Sequence, residues 1–124
     1  MSRFSRLAVL AVAAGLLVAV APASAPAGPT ATAAKHCSVG DSQSYNTTYV
    51  LWIRARHVGC NKARERIRAF HACRHRNGGK KGHCSNLGAW TCHENRTSGV
   101  GSYDSVARCR HGRKVVKHQY TQWT

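Results

Sequence analysis

Between residues 48 and 59 apolar and polar positions alternate: Tyr49, Leu51, Ile53 and Ala55 fall on one side, and Val50, Trp52, Arg54 and Arg56 on the other. A period of two in a run rich in aromatic and β-branched residues predicts a strand with one apolar and one partly charged face. The period changes after Gly59. Cys60, Ala63, Ile67, Phe70 and Cys73 recur at steps of three or four, which places them along one face of a helix. Asn61 stands where a helix cap is expected, and Asn77, Gly78 and Gly79 stop the helix. Further on, residues 89–94 put Trp90 and Cys92 on one face of a short strand, and residues 95–102 read as a turn-rich connection. Residues 105–120 read as a hairpin turning near His111, Gly112 and Arg113, with Ala107 and Cys109 on one strand and Val115 and Val116 on the other. The order is strand, helix, strand, strand, strand. The simplest α+β architecture is a small antiparallel sheet with one helix packed on it, burying Leu51, Ile53, Ile67, Phe70 and Trp90 together.

Ahead of this pattern the chain is different in kind. Arg3 and Arg6, the apolar run 7–20 and the small residues from Ala21 read as an export signal over residues 1–27, with cleavage near 25–27. The apolar run is too short to span a bilayer as a helix. Residues 28–35 are small and uniform and read as a disordered lead-in, so residues 36–124 form a single domain. At that size one apolar core is marginal without staples. Cys37, Cys60, Cys73, Cys84, Cys92 and Cys109 all follow the signal, and in an exported chain they are expected to form three disulfides. A bond between Cys73 and Cys84 closes the loop after the helix and leaves three ways to join the rest; Cys60 with Cys92 and Cys37 with Cys109 is the arrangement favoured here.

Charge then sharpens the picture. The chain has 19 Lys and Arg against 4 Asp and Glu; without Arg3 and Arg6 that leaves 17 against 4, a net +13. Much of it is crowded between Cys60 and Cys84. Arg64, Arg68, His71 and His75 recur at helical steps beside the apolar face, an expected exposed stripe, and Lys80 and Lys81 sit in the loop that Cys73 and Cys84 would tether. An excess of this size draws anionic partners, although it also serves solubility alone.

The run VGCNKARERI (58–67), followed by WTC (90–92) and ARCRHGRKVV (107–116), resembles a class of small secreted actinobacterial proteins of uncharacterised activity. That class has a strand, a Cys-led helix, an aromatic-x-Cys strand and a final Cys, Gly, basic, Val hairpin. Cys60, Ala63, Trp90, Cys92, Cys109, Gly112, Val115 and Val116 match it, with Cys37 as a fourth framework cysteine. Cys73 and Cys84, around the basic insertion, depart from it. The resemblance implies a secreted, disulfide-linked α+β domain and transfers no catalytic residue.

Four chemistries compete for the remaining residues. His71 with His75, and His83 and His93 beside cysteines, suggest a metal, but zinc needs three or four converging ligands with partners that orient them, and neither a metal nor another cofactor is expected. A metal-independent ribonuclease needs an acid, a base and a cation for the charged intermediate; His71, His75 and His118 are nominal candidates with no motif around them. Asp41, Glu65, Glu94 and Asp104 mark out no glycosidase pair. Anionic-polymer binding fits best, through Arg64, Arg68, His71, His75, Lys80 and Lys81, with Arg54, Arg56 and residues 110–114 as further contacts and Trp52, Tyr120 and Trp123 as stacking groups if exposed. The expected activity is that of a secreted, non-enzymatic module for anionic polymer (a cell-wall polymer or extracellular nucleic acid) or cell-surface material; an inhibitor or toxin-like module with one protein partner is the other alternative. The two Asn-x-Thr sequences at Asn46 and Asn95 are treated as incidental.

Overall fold

A computed structural model describes Gly28 and residues 32–41, 45–46 and 48–124. The chain divides into two compact units, Met1–Thr30 and Ala31–Thr124. The expected export signal lies outside the described residues, and the fold is that of the second unit.

Strands β1 (Lys35–Cys37) and β2 (Tyr49–Arg56) precede helix α1 (Cys60–Arg76) and a 3-10 turn (Gly79–Lys81); strands β3 (Asn86–Leu87), β4 (Trp90–Ser98), β5 (Ser102–His111) and β6 (Lys114–Trp123) follow. All pair antiparallel in one six-stranded sheet of order β1-β2-β6-β5-β4-β3. One helix lies on one face of this sheet, the α+β arrangement expected from the strand and helix periods. Lys35, the last residue of the expected lead-in, opens β1.

The strand phase is corrected by a bulge. The β2–β6 register shifts between Val50 and Trp52, and the extra residue, Leu51, is exposed. A bulge inserts one residue and so resets which side chains point inward. Val50, Ile53 and Ala55 therefore enter the core while Tyr49 and Leu51 face out. Ile53, Ile67, Phe70 and Trp90 are buried together as expected; Leu51 is not.

A second correction concerns residues 95–102, expected as a connection. Asn95–Ser98 continue β4, and Ser102 opens β5. The turn is confined to residues 99–101, closed by Gly99 N–H donating to the Ser102 carbonyl at 2.9 Å. The β5–β6 turn falls at Gly112 and Arg113, with Gly112 at a φ of 56°, where the hairpin reading placed it.

The long β4–β5 hairpin also explains the disulfides. They join Cys37 with Cys60, Cys73 with Cys84, and Cys92 with Cys109. Only the Cys73–Cys84 bond matches expectation; the Cys60–Cys92 and Cys37–Cys109 bonds are replaced. Cys92 and Cys109 are direct cross-strand partners, equidistant from the turn, which is invisible when residues 95–102 are read as a loop. Cys60, at the start of α1, lies beside β1 and β2, where Cys37 pairs with Ile53. The chain is thus a small protein with three disulfides and a strand-helix-strand pattern.

Candidate functional site

Helix α1 is more deeply seated than its apolar period suggests. Its buried residues are Ala63, Ile67, Phe70, His71, Cys73 and Arg74. His71 stands four residues after Ile67, and Arg74 four after Phe70, so both share the inward face. The expected exposed stripe is corrected here: His71 is fully buried. Arg64 is half-exposed and donates to the Ser38 carbonyl at 3.0 Å and to Asn61 Oδ1. Asn61 therefore holds Arg64 rather than capping the helix, whose N-cap is Gly59 with no side-chain hydrogen bond. Arg68 is exposed, with its guanidinium over the Tyr45 ring. His75 is half-buried, and its pKa is lowered by desolvation and then by the charges of Arg74 and Lys80. Both histidines have lowered pKa values that favour the neutral ring, which leaves Arg64 and Arg68 as the main cations of the stripe.

The loop carrying Lys80 and Lys81 is held rather than flexible. Asn77 N–H donates to the Cys73 and Arg74 carbonyls, and the chain then turns through Gly78 and Gly79, both at positive φ. Arg74 Nη2 donates to the Lys80 carbonyl at 3.1 Å and Tyr103 Oη to the same oxygen at 2.6 Å. Arg96 Nη1 donates to the Lys81 carbonyl at 2.8 Å, and its Nη2 to that of Gly82. At Gly82 an added Cβ would stand 2.0 Å from the Arg74 carbonyl oxygen, so the close return of the loop onto the helix requires glycine. With its backbone oxygens taken and Cys73 bonded to Cys84, the turn presents both lysine side chains outward; both are exposed.

Beneath the loop lies a polar layer between helix and sheet. Glu94, whose side chain is 6% exposed, accepts from Arg96 Nη2 at 2.6 Å, His83 Nδ1 at 2.7 Å, Ser105 Oγ at 3.3 Å and Tyr120 Oη. Burial and this carboxylate raise the Tyr120 pKa strongly. The Arg74 charge is met by the Tyr120 ring face at 4.5 Å, by Tyr103 Oη and by the Lys80 carbonyl.

Arg74 Nη1 lies 2.8 Å from His71 Nδ1, and His71 Nε2 lies 3.1 Å from His118 Nε2. The order of donors fixes the tautomers. A guanidinium only donates, so His71 accepts at Nδ1 and donates from Nε2; His118 accepts at Nε2 and carries its hydrogen on Nδ1, which has no partner. Such an unsatisfied buried donor costs about 1 to 3 kcal/mol. Desolvation lowers the His71 pKa well below its usual value, with the His118 and Arg74 charges acting the same way. Desolvation, then Arg74, pushes the His118 pKa down to about 3. Both rings are neutral at physiological pH.

Two imidazoles and a cation, the residue types a ribonuclease would need, thus do come together. They are sealed, however. His71, Arg74 and His118 are all fully buried, and Tyr45, Phe70 and Tyr120 ring the two imidazoles, so a phosphodiester has no path to them in this fold. His75, the third nominal candidate, does not join the pair. Among the described residues no three or more His, Cys, Asp or Glu side chains converge as metal ligands, and His83 is engaged by Glu94.

Sequence reasoning missed Arg74, Glu94, Arg96 and Tyr103. The signal for Arg74 was its place four residues after Phe70 and seven after Ile67, on the face that holds the core. No protein-family description, curated protein or solved structure matches the chain.

Proposed function

We propose that this is a secreted, non-enzymatic cationic module that binds anionic polymer through Arg64, Arg68, Lys80 and Lys81. The observation that carries the reading is the loop: a disulfide, two buried or half-buried arginines and a tyrosine fix its backbone, so two ammonium groups are presented with little conformational freedom left to lose on binding. The acids do little to offset the surrounding charge. Glu65 is engaged by Lys62 at 2.8 Å and Arg66 at 3.4 Å, and Glu94 by Arg96 and His83. Three disulfides favour an oxidising compartment, and no helix among the described residues is long and apolar enough to cross a membrane. The sealing of His71 and His118 favours binding over ribonuclease action.

The test is the variant Arg64→Gln/Arg68→Gln/Lys80→Gln/Lys81→Gln, titrated into labelled single-stranded RNA. Loss of four phosphate contacts flattens the log-log salt dependence by about 3 at roughly 0.7 per contact, with the melting temperature little changed. An unaltered affinity and slope would remove the helix and loop from the site.

A further inference from the structure

The helix covers one face of the sheet; among the described residues no helix lies on the other, and its residues are ordered by charge. In cross-strand register, His36 stands opposite Arg54, Arg54 opposite Lys117, Lys117 opposite Arg108, and Arg108 opposite His93. Five neighbouring strands thus carry a row of basic side chains, with a strand spacing of about 4.8 Å. Like charges placed directly opposite one another destabilise a sheet, so the row costs the free protein stability and is relieved by a bound anion. Arg54, Arg56, Arg108 and Lys117, together with residues 32–34 and Val115, line a cleft of about 340 Å³. Arg56 Nε is buried there with no hydrogen-bond partner.

Along the strands the same face becomes aromatic. Trp52 follows the row, its indole N–H donating to Gln119 Oε1 at 2.6 Å and its ring 5.4 Å from the Arg54 guanidinium. About 13 Å from Lys117, four residues along β6, Tyr49 stands opposite Thr121. Trp123 is two residues further, and Tyr49 and Trp123 are both more than half exposed. The one acid on this face among the described residues, Asp104, accepts from Thr121 Oγ1 at 2.5 Å at the aromatic end, away from the cationic row.

We infer that this sheet face is a second binding surface, for single-stranded nucleic acid, with phosphates along Arg54, Arg56, Arg108 and Lys117 and unstacked bases on Tyr49 and Trp123. A basic track beside exposed aromatic rings is the combination that single strands need, because each base offers a ring face and each linkage a charge. A polymer with phosphates but no bases would use the row and leave the rings bare. The inference does not rest on the helix-and-loop reading: the two surfaces lie on opposite sides of the sheet.

The experiment uses the oxidised protein and a fluorescent oligouridylate of about 15 nucleotides, with inorganic polyphosphate as a base-free probe. Arg54→Gln/Arg108→Gln/Lys117→Gln is expected to weaken oligouridylate binding at least about tenfold and to flatten the salt slope by about 2 at roughly 0.7 per contact. Tyr49→Ser/Trp123→Ser removes exposed rings and so spares the fold; it is expected to weaken oligouridylate about 5- to 150-fold per stacked base while leaving polyphosphate binding unchanged. Oligouridylate binding unaffected by the arginine and lysine changes overturns the surface. Binding unaffected by loss of the rings, with polyphosphate bound as tightly, overturns the nucleic-acid assignment. If the sheet variant loses affinity while the helix-and-loop variant keeps it, the earlier reading fails and this one stands.

Discussion

Reducing the three disulfides is expected to unfold the domain. In the chain-entropy description, closing loops with the observed sequence separations of 23, 11 and 17 residues stabilises by about 3 kcal/mol each, or about 9 kcal/mol together, against a total of about 5 to 15 kcal/mol for a domain. The bonds also fix elements with few other attachments. Cys37–Cys60 holds the three-residue edge strand β1 to the helix start, and Cys73–Cys84 closes the basic loop. The core offers limited compensation, because His71, Arg74, Ser105, His118 and Gln122 are buried in it beside the apolar side chains. Circular dichroism melts with and without reductant measure the effect. Loss of the cooperative transition under reduction is expected; an unchanged melting temperature would show that the bonds are dispensable.

Mild acid is expected to weaken the fold. The folded pKa values of His71 and His118 are depressed, whereas in the unfolded chain both return to about 6.5. The unfolded state therefore binds more protons below pH 6.5. Stability is full above that pH and falls as pH drops through it, until the folded pKa is reached. With His118 at about 3 in the fold, its share of the loss at pH 5 is about 2 kcal/mol, and His71 adds in the same direction. Urea unfolding at pH 7.5 and pH 5 reads this directly, and His118→Gln, which cannot take up a proton, should remove that residue's share of the pH dependence. A stability that is flat between these pH values would mean that the buried pair is not held neutral.

These two effects also mark where sequence reading runs out. The helix, the β5–β6 hairpin and the helix stop were legible because each has a local cause: an apolar step of three or four, a Gly112 turn, an Asn-Gly-Gly end. The inward phase of β2 was not, since a bulge at Leu51 is a property of the pairing with β6 and leaves no mark on β2 itself. Residues 95–98 hid as strand because Arg96 points into a polar layer, so the alternation of apolar and polar positions that betrays a strand is missing. His71 read as surface and Arg74 drew no reading for a related reason: each has an inside partner distant in sequence, His118 for His71 and Tyr103 for Arg74, that no local pattern reveals. Of the candidate site, Arg64, Arg68, Lys80 and Lys81 keep outward or half-exposed positions, while the loop's rigidity follows from Arg74 and Arg96, which lie outside any recognisable motif.

The central claim is that the positive charge of this chain serves to bind an anionic polymer without acting on it. Its most direct test is fluorescence anisotropy of labelled single-stranded RNA with the oxidised protein, followed over time in chelator at a series of salt concentrations. The account predicts a signal stable in time, with an affinity that falls steeply with salt by about 0.7 per phosphate contacted on a log-log plot. A signal that rises and then decays would mean that the RNA is cut, and an absence of binding at low salt would mean that the charge is passive; either result would contradict the account.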